Sequence, residues 1–338
     1  MLEPQNRRYI GNKFKLIADI QSIIDNVFTG KTVTFADLFA GTGVIGYHFA
    51  KQNHNVIVND TLYSNVVAYN AWFSNVKIDN KMLAEILQSF NVIDVSKLDD
   101  NYFSQIYAGK YYSFNNAKAI GYIREQIEGL RRQVSEREYF ILLTSLLYYS
   151  DKIANTVGHF EYYLRNPPED RAINLEMLNI DIISNAYIKN EDANILVNNI
   201  ECDVAYLDPP YNARQYVNFY HVLENLARWD KPTEFEGVSM KFKRNHLKSG
   251  YSRSKAPELF SELINTLMCS LIIVSYNNTY NANSTCSNNK IQEEFLVEVL
   301  SKKGKTYVKE IKYKAFNTGN THFNNHLEKL YVCEVRKQ

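Results

Sequence analysis

Two periods of hydrophobic residues alternate in the first part of this chain. Apolar positions recur at helical spacing over Leu16–Val27, and the β-branched and aromatic run Thr32–Phe39 predicts a buried strand. A helix beginning near Val44, a strand over Asn55–Asn59 and a helix over Thr61–Phe73 follow. Strands that alternate with helices in this way predict a parallel sheet.

The alternation stops in the middle of the chain. Three amphipathic helices are predicted there, over Lys81–Phe90, Ala117–Gln133 and Glu136–Ile153. The segment is too long for a simple sheet crossover, which needs about a dozen residues. We therefore expect a catalytic domain of residues 1–74 and 185–338, interrupted by a helical insertion of residues 75–184. The insertion either completes the core or forms a substrate-recognition lobe.

The strand and helix pattern then resumes. Strands are predicted at Asn185–Asn190, directly before Asp208 and at Leu271–Tyr276, with helices at Asn218–Trp229 and Glu258–Met268. Two alternating runs end the chain, at Lys305–Phe316 and Leu327–Val335, and they predict an antiparallel hairpin at the sheet edge. The expected fold is an open α/β sheet, mostly parallel, with a C-terminal antiparallel hairpin.

Composition narrows the class of protein. With 45% hydrophobic and 22% charged residues, the chain is typical of a folded domain, and no apolar run reaches the ~18–20 residues of a membrane span. The polar, basic start Met1–Arg8 does not predict a signal peptide. Four widely spaced cysteines predict neither a disulfide framework nor a zinc site: Cys202, Cys269, Cys286 and Cys333. We expect a cytoplasmic protein with reduced thiols, no metal and no membrane partner.

Basic residues cluster in one stretch although the net charge is only +1. No acidic residue occurs from Gly237 to Pro257, and aromatic and polar residues lie between the basic ones. Such a composition suits contacts to nucleic-acid phosphates, and a solvated basic loop is the alternative. The candidate DNA-binding residues are Lys241, Lys243, Arg244, Lys248, Arg253 and Lys255.

The sequence Asp208-Pro209-Pro210-Tyr211 follows a buried apolar run. Since proline cannot continue a central strand, the run must end here and present Asp208 at the carboxyl end of a strand, where open α/β sheets bind ligands. A carboxylate, the Pro209 carbonyl and the aromatic face of Tyr211 suit a planar ring with an amino group. A plain proline turn is the alternative reading.

A glycine-rich turn lies after the first predicted strand. Gly41, Gly43 and Gly46 match G-x-G-x-x-G, and Asp60 follows about 20 residues later, at the end of the next strand. NAD would satisfy that pattern, but Asp37 would repel a pyrophosphate and favour the cationic amino group of a methionine moiety. The turn therefore favours S-adenosylmethionine over NAD.

Together these motifs resemble the adenine-specific DNA methyltransferases of the Dam-like, alpha-ordered class, and in particular those that accompany type IIS restriction endonucleases. Asp37-Leu38-Phe39-Ala40-Gly41-Thr42-Gly43 is similar to the family's cofactor loop, and Arg8-Tyr9-Ile10-Gly11-Asn12-Lys13 is similar to its N-terminal cofactor segment. In that segment the family often has tryptophan in place of Tyr9 and glycine in place of Asn12. The resemblance implies that Tyr9, Lys13, Asp60 and Asp208 contact the cofactor or the reacting centre, with Asp192 near the cofactor adenine.

The resemblance also implies the activity. We expect methyl transfer from S-adenosylmethionine to the adenine amino group of double-stranded DNA, in the bacterial cytosol beside the nucleoid and alongside a cognate restriction endonuclease. The insertion occupies the place of the family's target-recognition region. The alternatives are transfer to a cytosine amino group, to adenine in RNA or to a protein glutamine, a NAD-dependent oxidoreductase, and a DNA-binding module without catalysis.

Overall fold

The computed structural model describes residues 1–279, 288–312 and 327–336. The chain divides into two compact units. The sheet unit comprises Gly11–Thr61, Asn185–Tyr216 and His246–Gln338, and the helical unit comprises Met1–Ile10, Leu62–Ser184 and Val217–Asn245. The predicted insertion lies wholly within the helical unit, which also includes three segments from outside it.

Within the described ranges, the sheet unit has seven strands. In chain order they are β1 (Thr34–Asp37), β2 (Asn55–Asn59), β3 (Ala186–Lys189), β4 (Val204–Leu207), β7 (Leu271–Asn277), β8 (Gly304–Lys312) and β9 (Leu327–Val335). Their order across the sheet is β3-β2-β1-β4-β7-β9-β8. The first five are parallel, whereas β9 is antiparallel to both β7 and β8. This confirms the predicted α/β class with its C-terminal antiparallel hairpin.

Five α-helices of the sheet unit lie in the described part of the chain, namely α1 (Ile17–Phe28), α2 (Val44–Lys51), α8 (Ala193–Leu196), α10 (Ala256–Thr266) and α11 (Glu293–Lys303). The central strands β4 and β7 read as continuous apolar runs because they are buried on both faces. Beside them, Phe260, Leu263 and Leu296 pack into one hydrophobic cluster with Ile272. This core holds the carboxyl ends of the strands in fixed positions.

The helical unit contains α3 (Tyr63–Trp72), α4 (Asn80–Asn91), α5 (Tyr102–Tyr107), α6 (Phe114–Leu130), α7 (Glu136–Ile153) and most of α9 (Tyr216–Arg228). It also holds a short antiparallel hairpin of β5 (Phe235–Glu236) and β6 (Lys241–Phe242). The bounds of α7 match the prediction because a capping box fixes its start: Ser135 accepts from the Glu138 amide, and Glu138 accepts from the Ser135 amide.

Several elements differ from the prediction. The hydrophobic pattern did not predict α5 or α11, and it did not predict β6 within the basic stretch. The predicted strand Lys305–Phe316 is β8, which begins one residue earlier, and residues 313–316 lie outside the described part of the chain. Cys286 also lies outside it.

Arg137 joins three segments of the helical unit. Its guanidinium is buried, and it donates to the carbonyls of Ala71 at 3.0 Å, Val76 at 2.7 Å and Asp181 at 2.7 Å. Since buried carbonyls need donors, this one side chain satisfies groups from the end of α3, from the loop after it and from the segment after α7.

Replacing Arg137 by Met should therefore destabilise the protein by roughly 3–5 kcal/mol, because each buried polar group left unpaired costs about 1–3 kcal/mol. Urea unfolding would measure this change in the free energy of unfolding. Arg131→Met is the matched control: Arg131 is exposed and its ion pair with Glu128 is worth less than about 1 kcal/mol. Equal effects of the two substitutions would contradict the assigned role of Arg137.

Candidate active site

The candidate site lies at the point where the strand order of the sheet reverses. From β1 the chain continues to β2 and β3 on one side, whereas β4 pairs with the other edge of β1 and leads to β7. Parallel strands end at the same edge, so the turn after β1 and the turn after β4 are neighbours. Open α/β sheets bind ligands at such a reversal point.

The turn after β1 is shaped by two glycines in the left-handed region, Gly41 with φ of 54° and Gly43 with φ of 76°. Only glycine adopts this conformation without strain. The Gly41 amide donates to a carboxylate oxygen of Asp60 at 2.9 Å, and the Ala40 amide donates to the Asn59 carbonyl at 2.9 Å. The acid predicted at the end of β2 therefore lies against the glycine turn.

Asp37 is the last residue of β1 and is 1% exposed. Neither of its carboxylate oxygens makes a hydrogen bond of normal geometry to any residue that the structure describes. Burial and the nearby Asp208 raise the pKa of Asp37 well above its usual range, although the amides of Gly46 and Phe39 act in the opposite direction. A buried acid that forms no ion pair with a described residue fits a cationic group of a ligand.

Two further predicted cofactor residues are placed by local contacts. The ring of Phe39 packs edge-on against Tyr251, with centroids 5.1 Å apart. Asp192 is exposed after β3 and caps α8, where its carboxylate accepts from the Asn194 amide at 2.8 Å. The Asn59 side chain bridges the ends of β2 and β3 by bonding both backbone groups of Glu191. Asp192 therefore follows a segment that is fixed to the end of β2.

Asp208 follows directly on β4, which ends at Leu207 before the two prolines, as predicted. One carboxylate oxygen of Asp208 lies 3.1 Å from the Lys13 ammonium, and the other accepts from the Tyr211 hydroxyl at 2.6 Å. Pro209 is buried, while Asp208, with 17% of its side chain exposed, and Tyr211 are partly accessible. The structure thus brings together Lys13, Asp208 and Tyr211, although Lys13 lies far from the other two in the sequence.

The charges at this edge affect one another. Burial raises the pKa of Asp208 to about 6, with Lys13 opposing the rise and Glu328 adding to it. Burial lowers the pKa of Lys13, but the carboxylates of Asp208 and Glu328 outweigh it and raise that pKa overall. Lys13 is therefore held protonated between two acids, and its ammonium also donates to the Gly11 carbonyl at 3.2 Å.

Tyr9 and three of the candidate DNA-binding residues lie in the helical unit. The Tyr9 ring stacks on Tyr220, with centroids 4.7 Å apart and 4° between the planes. Arg244 is buried, donating to Asn218 at 2.7 Å and forming an ion pair with Glu236 at 3.0 Å. Lys243 forms an ion pair with Glu234, and Lys241 lies 5.7 Å from the Tyr162 ring centre. The Arg244 guanidinium is therefore engaged by partners within the helical unit.

The other three candidates, Lys248, Arg253 and Lys255, lie in the sheet unit. Arg253 and Lys255 are exposed, and neither forms an ion pair with a residue in the described part of the chain. Lys248 is half-buried. The side chains of Arg253 and Lys255 are therefore accessible to an anion.

Sequence reasoning missed Glu328 and Ser275. Glu328 is the second residue of β9 and Ser275 lies near the carboxyl end of β7, and their side chains are 2.7 Å apart. The sequence signal that could have located them was the antiparallel hairpin predicted at the end of the chain, because it makes β9 antiparallel. A strand running against the others brings its amino end to the edge where the parallel strands have their carboxyl ends.

No helix among the described residues is long and apolar enough to cross a membrane. Within the same ranges, no group of three or more His, Cys, Asp or Glu side chains is arranged to hold a metal ion.

Comparison with known proteins identifies a family whose sequence model matches this chain. A sequence model of the D12 class N6 adenine-specific DNA methyltransferases matches residues 9–275. The chain is 33% identical to the Modification methylase StsI of Streptococcus sanguinis, over 98% of this chain and 52% of that protein. It is 32% identical to the Type II methyltransferase M.NlaIII of Neisseria lactamica, over 96% of this chain and 98% of that protein. With M.FokI of Planomicrobium okeanokoites it shares 31% identity, over 80% of this chain and 44% of that protein. The chain thus spans about half the length of StsI and nearly all of M.NlaIII.

Proposed function

The chain belongs to the D12 class N6 adenine-specific DNA methyltransferase family, and we propose that it transfers a methyl group from S-adenosylmethionine to the adenine amino group at specific sites in double-stranded DNA. The observation that carries this proposal is the shared sheet edge: the glycine turn and the buried Asp37 lie beside Asp208 and Tyr211. A buried acid suited to a cationic cofactor group and an acceptor for an amino group are thereby adjacent.

The residues at the carboxyl end of β1 fit the cofactor. Asp37 offers a buried carboxylate to the amino group of the methionine moiety, and the turn at Gly41 and Gly43 lets backbone approach the ligand closely. Asp60, with Phe39 and Ala40, borders the same turn, and Asp192 remains a proposed neighbour of the cofactor adenine. When bound, S-adenosylmethionine supplies a methyl group on a positively charged sulfur, which makes that methyl electrophilic.

The residues after β4 would activate the target. The adenine amino group is a poor nucleophile because its lone pair is conjugated with the ring. Asp208 and the Pro209 carbonyl accept hydrogen bonds from its two hydrogens, which localises the lone pair on nitrogen. Alignment of that nitrogen with the methyl group is the main catalytic contribution, and no covalent enzyme intermediate is needed.

A base within a duplex cannot reach such an edge, so the adenine must be flipped out at a cost of a few kcal/mol. Stacking of the base on Tyr211 offsets part of that cost, at about 1–3 kcal/mol. We propose the insertion, residues 75–184, as the target-recognition lobe. It contains a cleft of about 480 Å³ beside the highly exposed Phe114, between Ser113 and Pro168, which offers aromatic and polar groups to a nucleic acid.

The relatives are called modification methylases or type II methyltransferases. We therefore propose that the protein acts in a restriction-modification system with a cognate endonuclease, in the cytoplasm. Methyl-transfer assays on DNA with adenine or cytosine targets, on RNA and on protein would separate adenine in DNA from the other acceptors. Single-molecule sequencing of the modified DNA would identify the base and its sequence context.

Cofactor binding should release a proton that comes from Asp37. A cationic ligand group favours the ionised carboxylate, whereas burial raises the pKa of Asp37 in the free protein. We expect proton release at pH 6, where the ligand's α-amino group, with an ordinary pKa of about 7.7–8.0, is already charged. Calorimetric titration in two buffers with different ionisation enthalpies measures it. Asp37→Asn should bind more weakly and without this proton release; equal heats in both buffers for the parent protein would contradict the assignment.

Asp208→Asn should separate turnover from binding. The substitution puts an amide donor in reach of the amino hydrogens and removes the negative charge, so the methylation rate should fall by about 10²–10³-fold. Affinity for S-adenosylmethionine should change much less, because the β1 edge holds it. Asp37→Asn provides the reverse pattern, with cofactor affinity affected most. An Asp208→Asn variant with near-parental turnover would leave the motif as a plain turn.

Arg253 and Lys255 are the basic residues that we propose as phosphate ligands. Replacing both by Ala should flatten the dependence of DNA affinity on salt, by about 0.9 in the logarithmic slope for each phosphate that is no longer neutralised. Lys302→Ala, at an exposed lysine of α11 paired with Glu298, is the control and should leave the slope unchanged. An unaltered slope in the double variant would make this stretch a solvated loop.

A further inference from the structure

Glu328 is an acid at the candidate active site that none of the sequence motifs includes. It lies on β9, opposite Asn277 of β7, and only 4% of its side chain is exposed. It also lies beyond residues 9–275, the range matched by the family model. Its place at the site depends on β9 running antiparallel to β7.

Three donors converge on one carboxylate oxygen of Glu328. The Tyr211 hydroxyl lies 2.5 Å from it, the Ser275 hydroxyl 2.7 Å and the Lys13 ammonium 3.3 Å. Two of these three, Tyr211 and Lys13, also contact Asp208. Glu328 and Asp208 thus share both of the partners that hold Asp208 in place.

The shared hydroxyl has one hydrogen for two acceptors. Tyr211 lies within hydrogen-bond distance of both Asp208 and Glu328, but it can donate to only one of them. When both acids are ionised, the other contact brings two oxygen lone pairs together. A single additional proton on Asp208 removes that repulsion, as in carboxylate pairs that share one site.

The acids at this site also outnumber the cations. Asp208 and Glu328 carry two negative charges when ionised, and the lysine between them carries one positive charge. Among the described residues, the remaining groups facing Asp208 add no compensating cation: Asp37 ends β1, and Tyr206, Tyr211 and Tyr216 are neutral phenols with raised pKa values, mainly because of burial. Asp60, at the end of β2, faces Asp37 and Tyr216. In the part of the chain that the structure describes, acidic side chains therefore outnumber basic ones at this end of the sheet.

We propose that Glu328 is a positioning residue for the proposed methyl transfer: it competes with Asp208 for the Tyr211 hydrogen and for the charge of Lys13. Because of this competition, the Asp208 carboxylate can accept a hydrogen bond from the target amino group. This inference rests on the proposed function. Its consequence is that Glu328 and Lys13 act on Asp208 in opposite directions.

The pH dependence of kcat/KM for adenine methylation tests this. With Asp208 active only when ionised and its pKa raised to about 6, the rate should fall as the pH drops through about 6. Glu328→Gln removes a neighbouring negative charge and should shift this fall to lower pH by about one unit or more. Lys13→Met removes the opposing charge and should shift it to higher pH. A structural role alone would not produce shifts of opposite sign.

Two variants and one binding measurement complete the experiment. Glu310→Gln is the same substitution at an exposed acid of β8 and should leave the profile in place. Glu328→Asp keeps the charge but shortens its reach, so a smaller shift to lower pH is expected. If thermal denaturation shows that Glu328→Gln is not folded, Glu328→Asp tests the role of Glu328 instead. Affinity for S-adenosylmethionine should be near parental for Glu328→Gln.

The outcomes separate the two proposals. An unshifted profile in folded Glu328→Gln, or a shift in the same direction as in Lys13→Met, would overturn the role of Glu328. A parent protein that methylates no adenine in DNA would instead overturn the proposed function.

Discussion

The parallel pairing of β1 with β4 is the constraint on which the candidate site depends. It joins Phe35 with Val204 and Asp37 with Tyr206, so the glycine turn after β1 and the motif after β4 emerge side by side. The two strands are separated in sequence by the whole insertion. Because both strands are buried on both faces, a shift of register would expose apolar side chains and is strongly disfavoured.

That pairing brings several acidic side chains together at the carboxyl ends of the parallel strands. Asp37, Asp60 and Asp208 end or follow three adjacent strands, and β9 adds Glu328. Lys13 neutralises part of this charge, but burial, with Glu328 adding to it, raises the pKa of Asp208 to about 6 despite a lysine 3.1 Å away. Excess negative charge at such an edge favours a cationic ligand and an amino-bearing base, and these are the groups that the proposed reaction brings together.

The helical unit uses buried cations differently. Arg137 and Arg124 are almost fully buried, and both donate to backbone carbonyls, Arg124 to that of Leu226 at 2.9 Å. Arg244 likewise holds a hairpin strand through Asn218 and Glu236. Basic residues in this chain therefore divide into those that satisfy buried acceptors and those, such as Arg253, that remain exposed. Burial and partners distinguish the two groups, whereas composition does not.

The sequence by itself determined the order of the sheet elements and the two motifs of the site. Local signals suffice for these: apolar periodicity gives β2 and β9 with their observed ends, the prolines end β4, and the capping box fixes α7. The motif spacing also indicated the family. Only a few residues on either side of a position decide such features, so they can be read without the fold.

Tertiary structure decided which side chains meet. The Lys13 contact with Asp208 and the arrival of Glu328 depend on pairings between segments far apart in the chain, and no local pattern encodes them. The same applies to Arg244, which belongs to a basic run in the sequence but is buried against Asn218 in the fold. Hydrophobic period fixes which face of an element is buried, whereas the partner of a polar group depends on which elements become neighbours in the fold.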